Sequence, residues 1–477
     1  MRNLEAIVIL WNIAVMGWIL VGKEKRERGL IISLGISVIV TLLQGILEGM
    51  RWQLFPAYAL AVVPLYMLVR ARLPWSILLR SSKSSVMKRS IGMIAAVIYA
   101  FVAVALPLLL PVFTFSEPTG VYKVGTTSYE WTDATREETF TPSDGDKRKL
   151  KIQIWYPANK DSKADISPYV QDGALLAEGY HRLLDMPKQL FNSIGYVKTH
   201  SLENVDISDE EAAYPVLIFS HGLNGHKNQN TFQIEEIASH GYIVVGIDHT
   251  YNSTVSQFSD GTVAYFTPGQ DETVEMMDQT NEIWLADAKF VLDQVEKLAA
   301  HDPDHRFTGR MDLERIGMFG HSFGGATSTQ MLMSDPRIKA ALNMDGVLYG
   351  KLRVPEGGLN KPFLMMSADQ SRYFEQYIQD PTLTASLTDL FKRYDHITDG
   401  GNYWLTLRNM SHMGFSDLYL TSPLFEWMGG ISLKDSYPMI NAYTLDFFNH
   451  FLKQEPLKLL DQNIGEHTLF TLEKGEK

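Results

Sequence analysis

Arg315-Ile316-Gly317-Met318-Phe319-Gly320-His321-Ser322-Phe323-Gly324-Gly325 runs an apolar stretch straight into a G-x-S-x-G turn. Three fixed positions recur by chance in a long chain, so the flanks carry the reading. An apolar strand enters the turn and a segment containing Ala, Thr and Met leaves it as a helix. In a strand–turn–helix elbow, neighbouring glycines remove Cβ clashes and leave the serine hydroxyl exposed on a strained backbone. Ser322 is therefore the expected nucleophile.

A serine alcohol needs a base, and the base needs a group to orient it. In an elbow of this kind the chain order is serine, acid, histidine. His396 lies in a polar DHITDG loop, His450 in an aromatic helix and His467 in the C-terminal tail. His412 follows the NYWLTL strand in the short loop RNMSHMGFSD, where a base is presented at a sheet edge. It is the expected base. Asp345 ends the strand after the nucleophile helix and Asp369 ends the next one, FLMMSA. Position alone does not separate them. Two backbone N–H groups are needed to hold an oxyanion, one from the residue after the nucleophile and one from an earlier loop. These are Phe323 and, in His221-Gly222-Leu223-Asn224-Gly225 after the strand PVLIFS, Leu223. His221 precedes the nucleophile and reads as a brace of its loop, and His321 as a brace of the elbow. Tyr251, Asn252 and the acidic run from Asp271 lie near the entrance with no assigned role.

Around this centre, strands and helices alternate. Strands are expected at Pro215–Ser220, Tyr242–Gly246, Arg315–Phe319, Ile338–Met344, Pro362–Ala368 and Asn402–Leu407. Helices are expected near 231–240, 280–299, from 324, and near 437–453. Residues 138–140 and 149–156 read as a hairpin, and 158–212 as a lid or insertion with one helical piece near 173–192. The pattern implies a mostly parallel sheet covered on both faces.

The 477 residues are 45% apolar and 21% charged, which excludes a disordered or low-complexity chain. Charge is divided unevenly. Residues 1–115 hold twelve Lys/Arg and four Glu, a net of +8, and the remainder holds 31 basic and 51 acidic residues, a net of −20. So acidic a domain repels phosphate backbones, and no nucleic-acid partner is expected. The absence of cysteine excludes disulfides, thiolate metal sites and a cysteine nucleophile. The sequence has no H-E-x-x-H, P-loop or dinucleotide G-x-G-x-x-G. In His301-Asp302-Pro303-Asp304-His305 the proline breaks any helix that would align two histidines, so it reads as a solvated turn. No cofactor and no metal are expected.

Four apolar stretches, about 6–22, 29–47, 52–69 and 91–113, each approach the ~20 residues needed to cross a hydrocarbon core. Pro56 and Pro64 interrupt the third. The basic residues concentrate in the 1–2 link (Lys23, Lys25, Arg26, Arg28) and the 3–4 link (Arg70, Arg72, Arg80, Lys83, Lys88, Arg89). Positive links face the cytoplasm, which puts the N-terminus and the domain at 116–477 outside. The positive cluster follows the first apolar segment, so no cleavable signal peptide is expected. Residues 1–115 read as a plain multi-pass anchor in the cell membrane, with Asn12 and Gln44 bonding neighbouring helices.

PVLIFSHGLNG, GYIVVGIDH, GHSFGGA and the following NMDG together resemble the plasma-type platelet-activating factor acetylhydrolases and their bacterial relatives, over roughly residues 120–450. The resemblance implies an α/β-hydrolase fold and a calcium-independent serine esterase that removes short or oxidised acyl chains from phospholipids. It places the acid on the strand directly after the nucleophile helix, Asp345, and carries the base to His412 and the oxyanion donors to the Leu223 and Phe323 backbones. The four membrane segments, Asn224 and Gly225 in the oxyanion loop, and residues 158–212 depart from the family. The expectation is a membrane-anchored serine esterase acting on a short-acyl or phospholipid-derived ester, with no protein partner. Its rivals are an acyltransferase using the same triad and an inactive binding or signalling protein.

Overall fold

The computed structural model describes residues 1–21, 27–72, 86–141, 145–269, 273–371 and 385–476. The expected basic residues Lys23, Lys25, Arg26, Arg80 and Lys83, the turn residues 142–144 and the start of the acidic run at Asp271 lie outside them, and the side chains of Arg70, Arg72, Lys88 and Arg89 are likewise not described.

The strands of the catalytic part are β1 (Lys123–Glu137), β2 (Lys147–Ala158), β3 (Ile166–Pro168), β4 (Lys198–Glu203), β5 (Tyr214–Ser220), β6 (Ile243–Asp248), β7 (Val255–Gln257), β8 (Val263–Tyr265), β9 (Met311–His321), β10 (Ile338–Met344), β11 (Phe363–Ala368), β12 (Tyr403–Leu407), β13 (Gly465–Glu466) and β14 (Phe470–Lys474). Among the described residues twelve of them form one sheet in the order β13-β14-β12-β11-β10-β9-β5-β6-β2-β1-β4-β3. The six central strands, β12 to β6 in that order, are mutually parallel. β5, β6 and β11 are buried at every position. That is why they read as unbroken apolar runs: helices cover both faces, so neither face needs polar residues.

One core lies between the sheet and helices Thr231–Ser239 and Leu433–Lys453, the other against helix Val274–Ala300. In the last helix Trp284, Leu285, Ala288, Val291, Leu292 and Val295 are buried at helical spacing, and the Thr273 side chain caps its start by accepting from Met276 N–H. Each such large apolar side chain contributes roughly 1.5–3 kcal/mol by leaving water. This is the α/β-hydrolase arrangement, preceded by four helices long and apolar enough to cross a membrane.

Several elements differ from the sequence reading. The strand expected at 138–140 lies earlier, as β1, which pairs with β2 from Lys123↔Ala158 to Glu137↔Lys147. Both faces of β1 are half-covered, so no alternation marks it. β13 and β14 have no local signature, because β14 is a strand only through its pairing with β12, and β13 only through its pairing with β14. Residues 158–212 hold helix Gly173–Leu184, a 3-10 stretch at Lys188–Tyr196, and strands β3 and β4, which extend the sheet edge. Asp302 is not solvated: its buried carboxylate accepts N–H bonds from Asp304, Arg306 and Phe307.

The first two apolar helices are Asn3–Val21 and Glu27–Leu47. The third stretch is broken into Trp52–Leu54, Phe55–Leu60 and Val62–Arg72, and the fourth is Val86–Leu109. Asn12 accepts from Ser37 Oγ at 2.7 Å and donates to Ala57 O, and Gln44 accepts from Tyr58 OH. The helix ends before 113: Val112, Phe113 and Phe115 instead join the core of the catalytic part, where both phenylalanines pack on Tyr169.

Candidate active site

β9 ends at His321 and the next helix begins at Phe323, so Ser322 alone makes the turn, at φ 56° and ψ −123°. A non-glycine residue in that region stores about 1–3 kcal/mol of strain, held here by the flanking strand and helix. The Ser322 N–H donates to Met344 O at the end of β10 (2.8 Å).

β10 carries Asp345 directly beyond its last residue, and β12 leads into the loop bearing His412. His412 Nε2 lies 2.9 Å from Ser322 Oγ, and Nδ1 lies 2.7 Å from Asp345 Oδ2. A carboxylate only accepts, so Nδ1 carries the proton and Nε2 is left to accept from the serine hydroxyl. Asp345 is buried while His412 is partly open to solvent. The Asp345 carboxylate also accepts from Ala368 N–H (2.9 Å) and Ser371 Oγ (2.6 Å). Ser371 escaped the sequence reading because nothing local marks it. Asp369 is not near the imidazole in this way; its carboxylate accepts the N–H groups of Asn409 (2.7 Å) and Met410 (3.1 Å). It holds the loop that presents His412.

The loop after β5 comes up against the serine. A Cβ on Gly222 would sit 3.1 Å from Ser322 Cβ and 3.3 Å from His321 Nδ1, so any larger residue here would press on the serine and its brace. The Gly222 carbonyl accepts from His221 Nδ1–H (2.6 Å) and Gly225 N–H (2.8 Å). Because the peptide is planar and trans, pinning that carbonyl aims the Leu223 N–H in the opposite direction. Among the described residues, the N–H groups of Leu223 and Phe323 meet no protein acceptor. His321 donates from Nε2 to His412 O (2.9 Å) and accepts at Nδ1 from Gln229 (2.6 Å), bracing the His412 backbone from behind. Burial, helped by the neighbouring His412, holds its pKa well below the usual histidine value. Burial and nearby His249 bring His221 down to about 3, so both rings are neutral.

A second serine–histidine–aspartate chain lies beneath the site. Ser220 Oγ is 2.9 Å from His249 Nε2, and His249 Nδ1 is 3.0 Å from Asp287 Oδ2. All three are buried without solvent access. His249 stacks on Trp284, whose Nε1–H donates to Asn252, and the His249 backbone N–H donates to His221 Nε2. Arg148 forms a two-pronged pair with Asp287 and a further pair with Glu138. Burial alone would raise the Asp287 carboxyl, but Arg148 and His249 hold it well below the usual range. Asn252 thus belongs to this brace, and its carbonyl accepts from Asn224 N–H in the loop after β5. Tyr251 stacks on Phe140.

A cavity of about 370 Å³ does not include Ser322 in its lining; Ser167 to Asp172, Leu175 and Leu176 of the 158–212 stretch line one side of it. Among the described residues no cluster of His, Asp and Glu is arranged to hold a metal ion.

The family described as platelet-activating factor acetylhydrolase, isoform II matches residues 112–296 and 293–429. The chain is 27% identical over 287 residues to a probable 1-alkyl-2-acetylglycerophosphocholine esterase of Arthroderma benhamiae, covering 56% of this chain and 68% of that protein. It is 25% identical over 375 residues to the platelet-activating factor acetylhydrolase of Bos taurus, covering 70% and 76%. Among solved structures, a ferulic acid esterase from Streptomyces cinnamoneus superposes with a TM-score of 0.61 at 25% identity, covering 76% of this chain and all of that one.

Proposed function

The chain belongs to the platelet-activating factor acetylhydrolase isoform II family and is a carboxylic ester hydrolase; on that premise we propose that Ser322, His412 and Asp345 are its catalytic triad. One observation carries the assignment: the unbroken chain from Ser322 Oγ through His412 to Asp345, at 2.9 and 2.7 Å, on a strained elbow. His412 takes the hydroxyl proton as Ser322 attacks the ester carbonyl, and Asp345 holds the imidazole in the tautomer that can do so. The Leu223 and Phe323 N–H groups hold the oxyanion. His412 returns the proton to the leaving alcohol, then activates a water that releases the acid from the acyl-enzyme.

The substrate class is a short-acyl ester derived from phospholipid, in keeping with what the relatives' names say of them. The four apolar helices anchor the protein as a multi-pass membrane protein with residues 116–477 outside the cytoplasm. The basic links on the opposite side support that orientation, and a site held at the bilayer suits a lipid ester.

Fluorophosphonate labelling with peptide mapping, followed by p-nitrophenyl esters of two to twelve carbons, tests this. Modification at Ser322 with a preference for the shortest chains is expected. No modification of folded protein, or wild-type turnover by Ser322→Ala, would overturn the triad.

A further inference from the structure

A covalent link alone would tether the catalytic domain to the helices, yet a polar seam also joins them. The connection between the second and third apolar helices, residues 49–53, lies along Lys188–Tyr196. Trp52 Nε1–H donates to Gln189 O (2.6 Å), Gln53 Nε2–H to Ser193 Oγ (2.9 Å), and Tyr196 OH to Met50 O (2.9 Å). Gln53 and Ser193 are buried, so this central pair has exchanged water for each other, and the two outer bonds are exposed. Gly49 stands at φ 81° beneath Tyr196, where a Cβ would come 2.4 Å from the ring.

The connection is itself rigidly held. Arg51, buried, makes a two-pronged pair with Glu5 (2.7 and 2.9 Å) and donates to Leu110 O (2.6 Å). It thereby ties the start of the first helix and the exit from the fourth to the surface that meets the catalytic domain. Displacing the partners of a buried arginine leaves its charge uncompensated and is strongly destabilising, so this end of the bundle resists rearrangement. At a second place, helix Pro423–Gly429, eleven residues beyond His412, packs against Val86–Leu109.

We propose that the helical bundle is docked through this seam as an orienting element, holding the His412 side of the catalytic domain toward the outer face of the bilayer. The ester it serves is then one carried by the membrane in which the helices sit. This deepens the reading of the four helices as membrane-spanning. Fixed orientation places a bilayer-borne carbonyl relative to Ser322 in advance, and gives nothing to an ester arriving from water.

The test uses the full chain reconstituted in phosphatidylcholine vesicles. The triple variant Trp52→Phe, Gln53→Ala, Tyr196→Phe removes the seam's donors and leaves the site untouched. Hydrolysis of a fluorescent short-acyl phosphatidylcholine in the same vesicles should fall about fivefold or more, with kcat/KM for p-nitrophenyl acetate within about twofold of wild type. Parallel loss on both substrates, or loss on neither, would overturn the proposal. The chain has no cysteine, so Gln53→Cys with Ser193→Cys offers an independent reading. A short bifunctional thiol reagent should join the pair in the membrane and leave vesicle hydrolysis intact. No cross-link in protein that still hydrolyses p-nitrophenyl acetate would refute docking. Failure of wild-type Ser322 to take the phosphonate would instead refute the triad.

Discussion

The Asp369 carboxylate accepts a hydrogen bond from the backbone N–H of Asn409 at 2.7 Å, three residues before the histidine that meets Ser322. Two aspartates at the ends of adjacent strands therefore act on the same imidazole at different distances, Asp345 directly and Asp369 through the loop. Asp345→Asn should lower kcat by about 10³–10⁴-fold through the wrong tautomer. Asp369→Asn should lower it only about tenfold, through looser placement of His412. Steady-state kinetics on one ester distinguishes them: equal losses would remove the distinction, and a greater loss for Asp369→Asn would reverse the assignment.

Gly222 lies against Ser322, where a methyl group would come within 3.1 Å of the serine Cβ. Gly222→Ala should push the Leu223 N–H out of line and lower kcat by about 10²-fold, with KM little changed. A kcat within twofold of wild type would remove Leu223 from the oxyanion site.

Ser322 itself is strained, at φ 56° and ψ −123°. Ser322→Gly should abolish turnover while raising stability by about 1 kcal/mol, since glycine occupies that region freely. Denaturant titration of the variant beside wild type measures it, and a loss of stability would mean the serine makes contacts that outweigh its strain.

The buried Ser220–His249–Asp287 chain should not act as a nucleophilic site, because it has no access to substrate. Its importance is structural. Asp287→Asn leaves Arg148 partly uncompensated and should destabilise the protein by about 3–5 kcal/mol. Phosphonate adducts recovered on Ser220 in the native protein would contradict this account.

His221, His226, His249 and His321 are all buried, and burial lowers each below the ordinary value, to about 3 for His221 and about 4 for His226. In the unfolded chain each titrates near 6.5. Between those values the unfolded state binds more protons, so the contribution to stability is full above pH ~6.5 and is lost as pH falls toward the folded values. Each neutral histidine can contribute a slope of about 1.4 kcal/mol per pH unit in that window. Thermal unfolding at pH 7.5, 6.5 and 5.5 should show Tm falling with acidification, and a flat profile would exclude neutral burial of these rings.

The central strands and the elbow were legible because each is written locally. β5, β6 and β11 are buried at every position and read as apolar runs, and Ser322 stands between glycines at a strand-to-helix change. β1 was misplaced because a half-covered strand has no alternation to mark it, and β14 because only its register with β12 makes it a strand. The helices were legible as apolar lengths, but not the point where Val112 and Phe113 leave them for the other core.

Periodicity and residue chemistry act over a few positions, and they suffice to mark the sheet's parallel centre, the elbow and the candidate histidines and aspartates. Position along the chain leaves Asp345 and Asp369 open and the family resemblance points to Asp345; the folded chain is what brings Asp345 to His412, adds Ser371 and Ala368 to its carboxylate, and sets Ser220, His249 and Asp287 beneath the loop. Those partners lie 23 to 67 residues apart along the chain. Hydrogen bonding at that separation is fixed by how strands pair and helices cross over, which no local pattern encodes.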